Sequence, residues 1–165
     1  MSSKFSRTQK GRIKRLFRTS ESLRHRIGYA IGRVELQIHR IDNHINRYAE
    51  RDKNLFEKLI QAYQRHDSLH ANMLANELAE IRGHRNLLMN AKLSLENVAL
   101  RLRTLSEFGN FVSSVSSVVD ILESVKTRVS GILPEVGIEL GYIGTKLNTL
   151  SIRMGQGNSA SFDFN

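Results

Sequence analysis

Seven apolar residues at Ile27, Ile31, Val34, Ile38, Ile41, Ile45 and Tyr48 alternate steps of four and three, and this rhythm constrains the chain more than anything else in it. Such steps place every member on one side of a helix, and a period of seven makes that side a seam over which a second helix can close. Arg33, Glu35, Gln37, Arg40, Asp42 and Asn46 fall between them, so the opposite face reads as wet, with a single stripe to bury. The pattern resumes at Leu55, Leu59 and Ala62 after the polar stretch 50–54. We expect one helix from about Ser20, as its N-cap, to about Gln64, roughly 65 Å long.

Residues 65–68 contain no apolar side chain, and Asp67 or Ser68 can cap a new helix, so a reversal is expected there. Beyond it Leu74, Ile81, Leu88, Leu95 and Leu102 are spaced by sevens, with Leu78, Ala91, Val98 and Leu105 beside them. Two stripes of equal period bury each other best side by side, which predicts a long antiparallel hairpin. Its core is expected at Ile31, Val34, Ile38, Ile41, Ile45, Leu74, Leu78, Ile81, Leu88, Leu95, Val98 and Leu102. Gly83, His84 and Arg85 interrupt the second stripe and should loosen it locally.

Phe108, Gly109 and Asn110 read as a hinge, because glycine and asparagine together favour a break. Residues 111–130 carry Val112, Val115, Val119, Leu122, Val125 and Val129 on one face, but valine and serine are weak helix formers, so packing must sustain that helix. Gly131 ends it, and Pro134 suits the first turn of a fourth helix bearing Val136, Leu140, Ile143, Leu147 and Leu150. From Ser151 the chain turns to Gly, Ser and Asn with Phe162 and Phe164, and reads as a flexible polar tail. The fold class is therefore all-α: a long hairpin followed by two weaker helices, with an arm over 1–19, a core over 20–150 and a tail over 151–165. A single proline and no tryptophan in 165 residues agree with few tight turns and no sheet.

Several chemistries lack their residues. There is no cysteine, so disulfides and thiolate sites are excluded. His66 and His70 are four apart but fall at the expected reversal without a third ligand, so no metal is expected. No serine sits in a GxSxG turn, no phosphate-binding glycine loop is present, and a two-helix hairpin offers no obvious concave pocket. No enzyme activity, cofactor or small-molecule substrate is expected. Gly28 and Gly32 form a GxxxG, which either admits another helix closely or is simply tolerated. No apolar run reaches the length needed to span a bilayer.

Charge is concentrated at one end. Residues 1–26 hold nine of the 25 Lys and Arg residues against Glu21 alone, while the remainder is nearly neutral. Wound as a helix, Ile13, Leu16 and Phe17 share one side, with Lys10, Arg12, Lys14, Arg15 and Arg18 around them and Phe5 upstream. Aromatic and aliphatic side chains flanked by cations suit an anionic membrane surface. The alternative is a basic coiled-coil protein organising nucleic acid, which uses the same charges without a recognition motif around them and is the weaker reading.

The stretches Ala75, Asn76, Glu77, Leu78, Ala79, Glu80, Ile81, Arg82 and Leu95, Glu96, Asn97, Val98, Ala99, Leu100, Arg101, Leu102, Arg103, Thr104, with a basic start and Leu133, Pro134, Glu135, Val136, resemble the archaeal CdvB family and, more distantly, ESCRT-III subunits. The resemblance covers about residues 20–150. It implies a homo-polymer, paralogous ESCRT-III-like subunits as partners, and filaments that remodel and cut membranes in cytokinesis or vesicle budding. It further implies a cytoplasmic protein peripheral on the inner face of the cell membrane at the division site, and a AAA ATPase of the Cdv system as partner. The short proline-containing or leucine-rich tail motif that would recruit the ATPase is not visible after Pro134. The 55–62 patch and the outer face of the second helix are expected to make the subunit contacts.

Overall fold

The computed structural model describes residues 3–108 and 111–159, with side chains described over 21–105 and 114–155. Four helices follow in order: α1 Ser3–Gln64, α2 Ser68–Phe108, α3 Phe111–Val129 and α4 Pro134–Ser159. The described residues contain no strand, and none of the helices is long and apolar enough to cross a membrane.

Helix α1 begins at Ser3, not at Ser20 as expected, and runs 62 residues, about 93 Å. Between those two positions Lys, Arg, Gln and Leu, all good helix formers, outnumber the weaker Ser, Thr and Phe, Gly11 is the single glycine and there is no proline to stop propagation. Helix α4 likewise continues to Ser159, past the expected tail boundary at Ser151. The reason lies in packing, since Leu150 and Met154 rest against the core and hold those turns down.

The reversal between α1 and α2 is closed by a Schellman motif. Asp67 N donates to Ala62 O and His66 N to Tyr63 O, both at 3.0 Å, and His66 adopts a φ of 58°. Asp67 then caps α2, its Oδ1 accepting from His70 N at 3.1 Å. Between α3 and α4 the chain turns through Ser130, Gly131 and Ile132, and Pro134 opens α4. Gly137 passes so close to the Ser130 side chain that a Cβ there would strike it.

All four helices contribute to one core, in which Ile27, Val34, Ile41, Leu88, Leu95 and Leu102 meet Val115, Leu122, Leu140 and Leu147. A second, smaller cluster of Leu55, Ala62, Ala71, Leu74, Leu78 and Ile81 fills the far half of the hairpin, where α1 and α2 have only each other. Tyr48 touches both clusters, and its ring lies 6.0 Å from that of His84 at the interruption in α2.

Candidate functional site

Residues next to a buried seam position mark the two sides of the hairpin, because neighbours in a helix point about 100° apart. Val34 and Leu102 are fully buried. Arg33 and Arg101, just before them, reach one side: Arg33 pairs with Glu139 of α4, and Arg101 Nη1 donates to Ser117 Oγ of α3 at 2.6 Å. Glu35 and Arg103, just after them, pair with each other on the opposite side. Helices α3 and α4 therefore cover one side of the hairpin and leave the other bare.

The bare side carries exposed apolar residues at two places along its length. Phe56 follows Leu55, Tyr63 follows Ala62 and Met89 follows Leu88, so all three stand on that shoulder, with Ile60, Leu93 and Leu100 farther out. Leu93 is 63% exposed and Tyr63 77%. Their neighbours are ion pairs across the hairpin: Asp42 with Lys92, and Asp52 with Arg82, whose guanidinium also lies 5.8 Å from the Phe56 ring. Gly28 and Gly32 belong to the same open flank, where a Cβ at either would meet nothing. Among the described residues no helix makes a close approach there.

Of the expected hairpin residues, Val34, Ile41, Leu74, Leu78, Ile81, Leu88, Leu95, Val98 and Leu102 are buried, and Ile31, Ile38 and Ile45 are partly buried on the shoulder toward the bare side. Within the 55–62 patch Leu55 and Ala62 are buried against α2, whereas Phe56 and Ile60 are exposed. Gln37 departs from expectation. Its place between the seam positions reads as wet, yet it is 1% exposed, and neither amide atom has a hydrogen-bond partner among the described residues. It sits with Ala30 and Arg33 on the flank of α1 that the later helices cover, and a single-stripe reading of α1 missed that second covered flank.

The arm residues Phe5, Lys10, Arg12, Ile13, Lys14, Arg15, Leu16, Phe17 and Arg18 form the first turns of α1, and their side chains lie outside the described residues. Phe108 closes α2; the other two hinge residues, Gly109 and Asn110, lie outside the described residues.

Sequence reasoning expected no pocket, but α1 and α4 enclose a groove of about 350 Å³. It needs the fourth helix, whose place on α1 no periodicity shows. Ala30, Ile143, Leu147 and Leu150 line its floor, and Arg26, Arg33, Lys146 and Arg153 its rim. The Arg33 guanidinium lies 5.6 Å from the Tyr29 ring and 5.8 Å from the Tyr142 ring. The hydrogen bond it gives Glu139 is the main cause holding its pKa above the ordinary arginine value.

No protein-family model matches this sequence. No solved structure matches it either. Curated proteins do: Cell division protein B1 of Sulfolobus acidocaldarius is 35% identical over 162 residues, which is 98% of this chain and 76% of that protein. Cell division protein B of the same organism is 31% identical over 151 residues, covering 89% of this chain and 58% of that relative.

Proposed function

Since the chain belongs to the family of the archaeal cell division protein B, we propose that it is a non-enzymatic subunit of the division machinery that assembles side by side into filaments on the inner face of the cell membrane. The bare apolar side of the hairpin carries this reading. Monomeric proteins rarely leave contiguous apolar patches uncovered, and here Phe56, Ile60 and Tyr63 near the turn are matched by Met89, Leu93 and Leu100 toward the other end. On antiparallel helices these two patches lie some 18 residues apart along the rod, about 27 Å. A second copy displaced by that distance sets the near patch of one hairpin against the far patch of the next. The same displacement repeats without closing, which yields an open polymer.

The basic arm of α1 supplies the membrane contact in this reading, with Ile13, Leu16 and Phe17 entering the lipid interface and the surrounding cations over anionic headgroups. Paralogous subunits, sharing the hairpin, are natural copolymer partners, and a AAA ATPase is the disassembly partner that the family resemblance brings with it. Remodelling and scission follow from polymer curvature.

Negative-stain microscopy on anionic vesicles tests the assembly. The wild-type chain should coat them with filaments, and Phe56→Glu with Leu93→Glu should leave discrete particles at unchanged helicity. Filaments from that double variant would refute the bare side as the contact.

A further inference from the structure

The rim of the α1–α4 groove carries charge that the protein leaves unbalanced. Several cations are matched by a carboxylate on a facing helix: Arg51 with Glu77, Arg82 with Asp52, Lys92 with Asp42 and Arg103 with Glu35, and at the groove itself Arg33 with Glu139. Arg26, Lys146 and Arg153 converge on the groove without an ion pair among the described residues, and His25 stands beside them. Glu139 is engaged by Arg33. Three like charges gathered at one opening repel one another, and an anion seated among them relieves that repulsion.

The floor says what kind of anion. Ala30, Ile143, Leu147 and Leu150 are apolar, and Tyr29 and Tyr142 are exposed at the walls, with Lys146 Nζ 5.2 Å from the Tyr142 ring. A bare inorganic ion would leave the floor unused. A phosphate ester on an apolar body meets both parts. Membrane phospholipid and a free phosphate ester share that chemistry. Position favours the lipid, because the groove opens seven residues beyond Arg18, about 10 Å along the same uninterrupted helix that begins with the basic arm.

We propose that the groove between α1 and α4 binds the phosphate headgroup of an anionic membrane lipid, with Arg26, Lys146 and Arg153 around the phosphate and Tyr29 and Tyr142 against the glycerol. The proposal rests on the reading of this protein as membrane-bound. It adds a contact outside the arm, one that exists only while α4 lies on α1, so lipid bound there favours the packed arrangement of the helices.

The test uses the full chain with vesicles of phosphatidylcholine alone or mixed equally with phosphatidylglycerol. Three charge-reversed pairs are compared: Lys146→Glu with Arg153→Glu at the groove, Lys14→Glu with Arg15→Glu in the arm, and Lys53→Glu with Lys58→Glu on the far hairpin as a control of equal charge. The groove pair should lose at least about tenfold in affinity for the anionic vesicles, and more than the control loses. Lys146→Gln with Arg153→Gln should fall in the same order without adding negative charge. In solution, glycerol 1-phosphate should shift amide resonances in both 25–33 and 142–153. A loss at the groove no greater than in the control overturns the proposal, and if the arm pair alone loses binding, the groove falls while the membrane reading stands. Loss at the groove alone leaves the groove standing and removes the arm. A wild-type chain that ignores anionic vesicles sinks both, and amide shifts with glycerol 1-phosphate but vesicle binding indifferent to the groove overturn the lipid in favour of a free ester.

Discussion

Arg82 grips Asp52 from the facing helix with a two-pronged fork, Nε donating to Oδ2 at 2.7 Å and Nη2 to Oδ1 at 3.0 Å. The pair lies between the two apolar clusters, at the point where the four-helix body gives way to a two-helix extension. Both prongs favour the charged carboxylate, and the hydrogen bonds from Arg82 are the main reason its pKa lies below the ordinary carboxylate value, with the charges of Arg82 and Arg85 adding to them.

A depressed carboxylate pKa stabilises the fold above the ordinary carboxylate range, and that contribution disappears as pH falls through the lowered value. Thermal melts of the wild type and Asp52→Asn should therefore differ by a constant margin near neutral pH. The margin should shrink only below the ordinary value of 3.8. A margin that instead vanished near pH 6 would point to a histidine as the group responsible.

Gln37 is a buried amide whose polar atoms find no partner among the described residues. Replacing it with leucine removes that desolvation cost and should stabilise the protein by about 1–3 kcal/mol. Urea unfolding should show a higher midpoint at unchanged slope. A lower midpoint would mean that the amide is bonded in solution.

His66 occupies the left-handed position of the Schellman turn, where a Cβ is disfavoured. His66→Gly should stabilise by up to about 1 kcal/mol, whereas Asp67→Ala, which removes the cap of α2, should cost about 1 kcal/mol. Both are read from the same denaturation curves, and the opposite signs separate backbone strain from capping.

Hydrogen exchange should divide the rod. In the far half each helix has one neighbour and the cluster is small, so amides over 55–81 should open at lower free energy than those over 88–102, where α3 and α4 add their cores. Uniform protection along α2 would show that the hairpin opens as one unit with the body.

The hairpin was legible because its signal is periodic: Val34 and Ile41 against Leu95 and Leu102 repeat every seven residues, and a repeat survives without knowledge of the partner. The reversal was legible because Asp67 is a capping residue in a stretch without apolar side chains. What escaped was tertiary. Nothing in the spacing around Gln37 shows that α1 is covered on a second flank, since that depends on where α4 comes to rest. The repeat places Leu55 on the seam, but that Phe56 beside it stands exposed on the uncovered side depends on where α3 and α4 come to rest. The groove was illegible for the same reason, its cations coming from segments more than a hundred residues apart.

An unbroken α1 makes the molecule behave as a shaft. Each residue of an α-helix turns the chain by roughly 100°, so the compass bearing of whatever the first turns hold is transmitted along the axis to the flank that carries Phe56 and Leu93. A single residue inserted between Arg18 and Ile27 would swing that flank by about 100° relative to the start of the helix, whereas seven would bring it nearly back. Direction, as well as attachment, is thus written into the count of residues between the two ends.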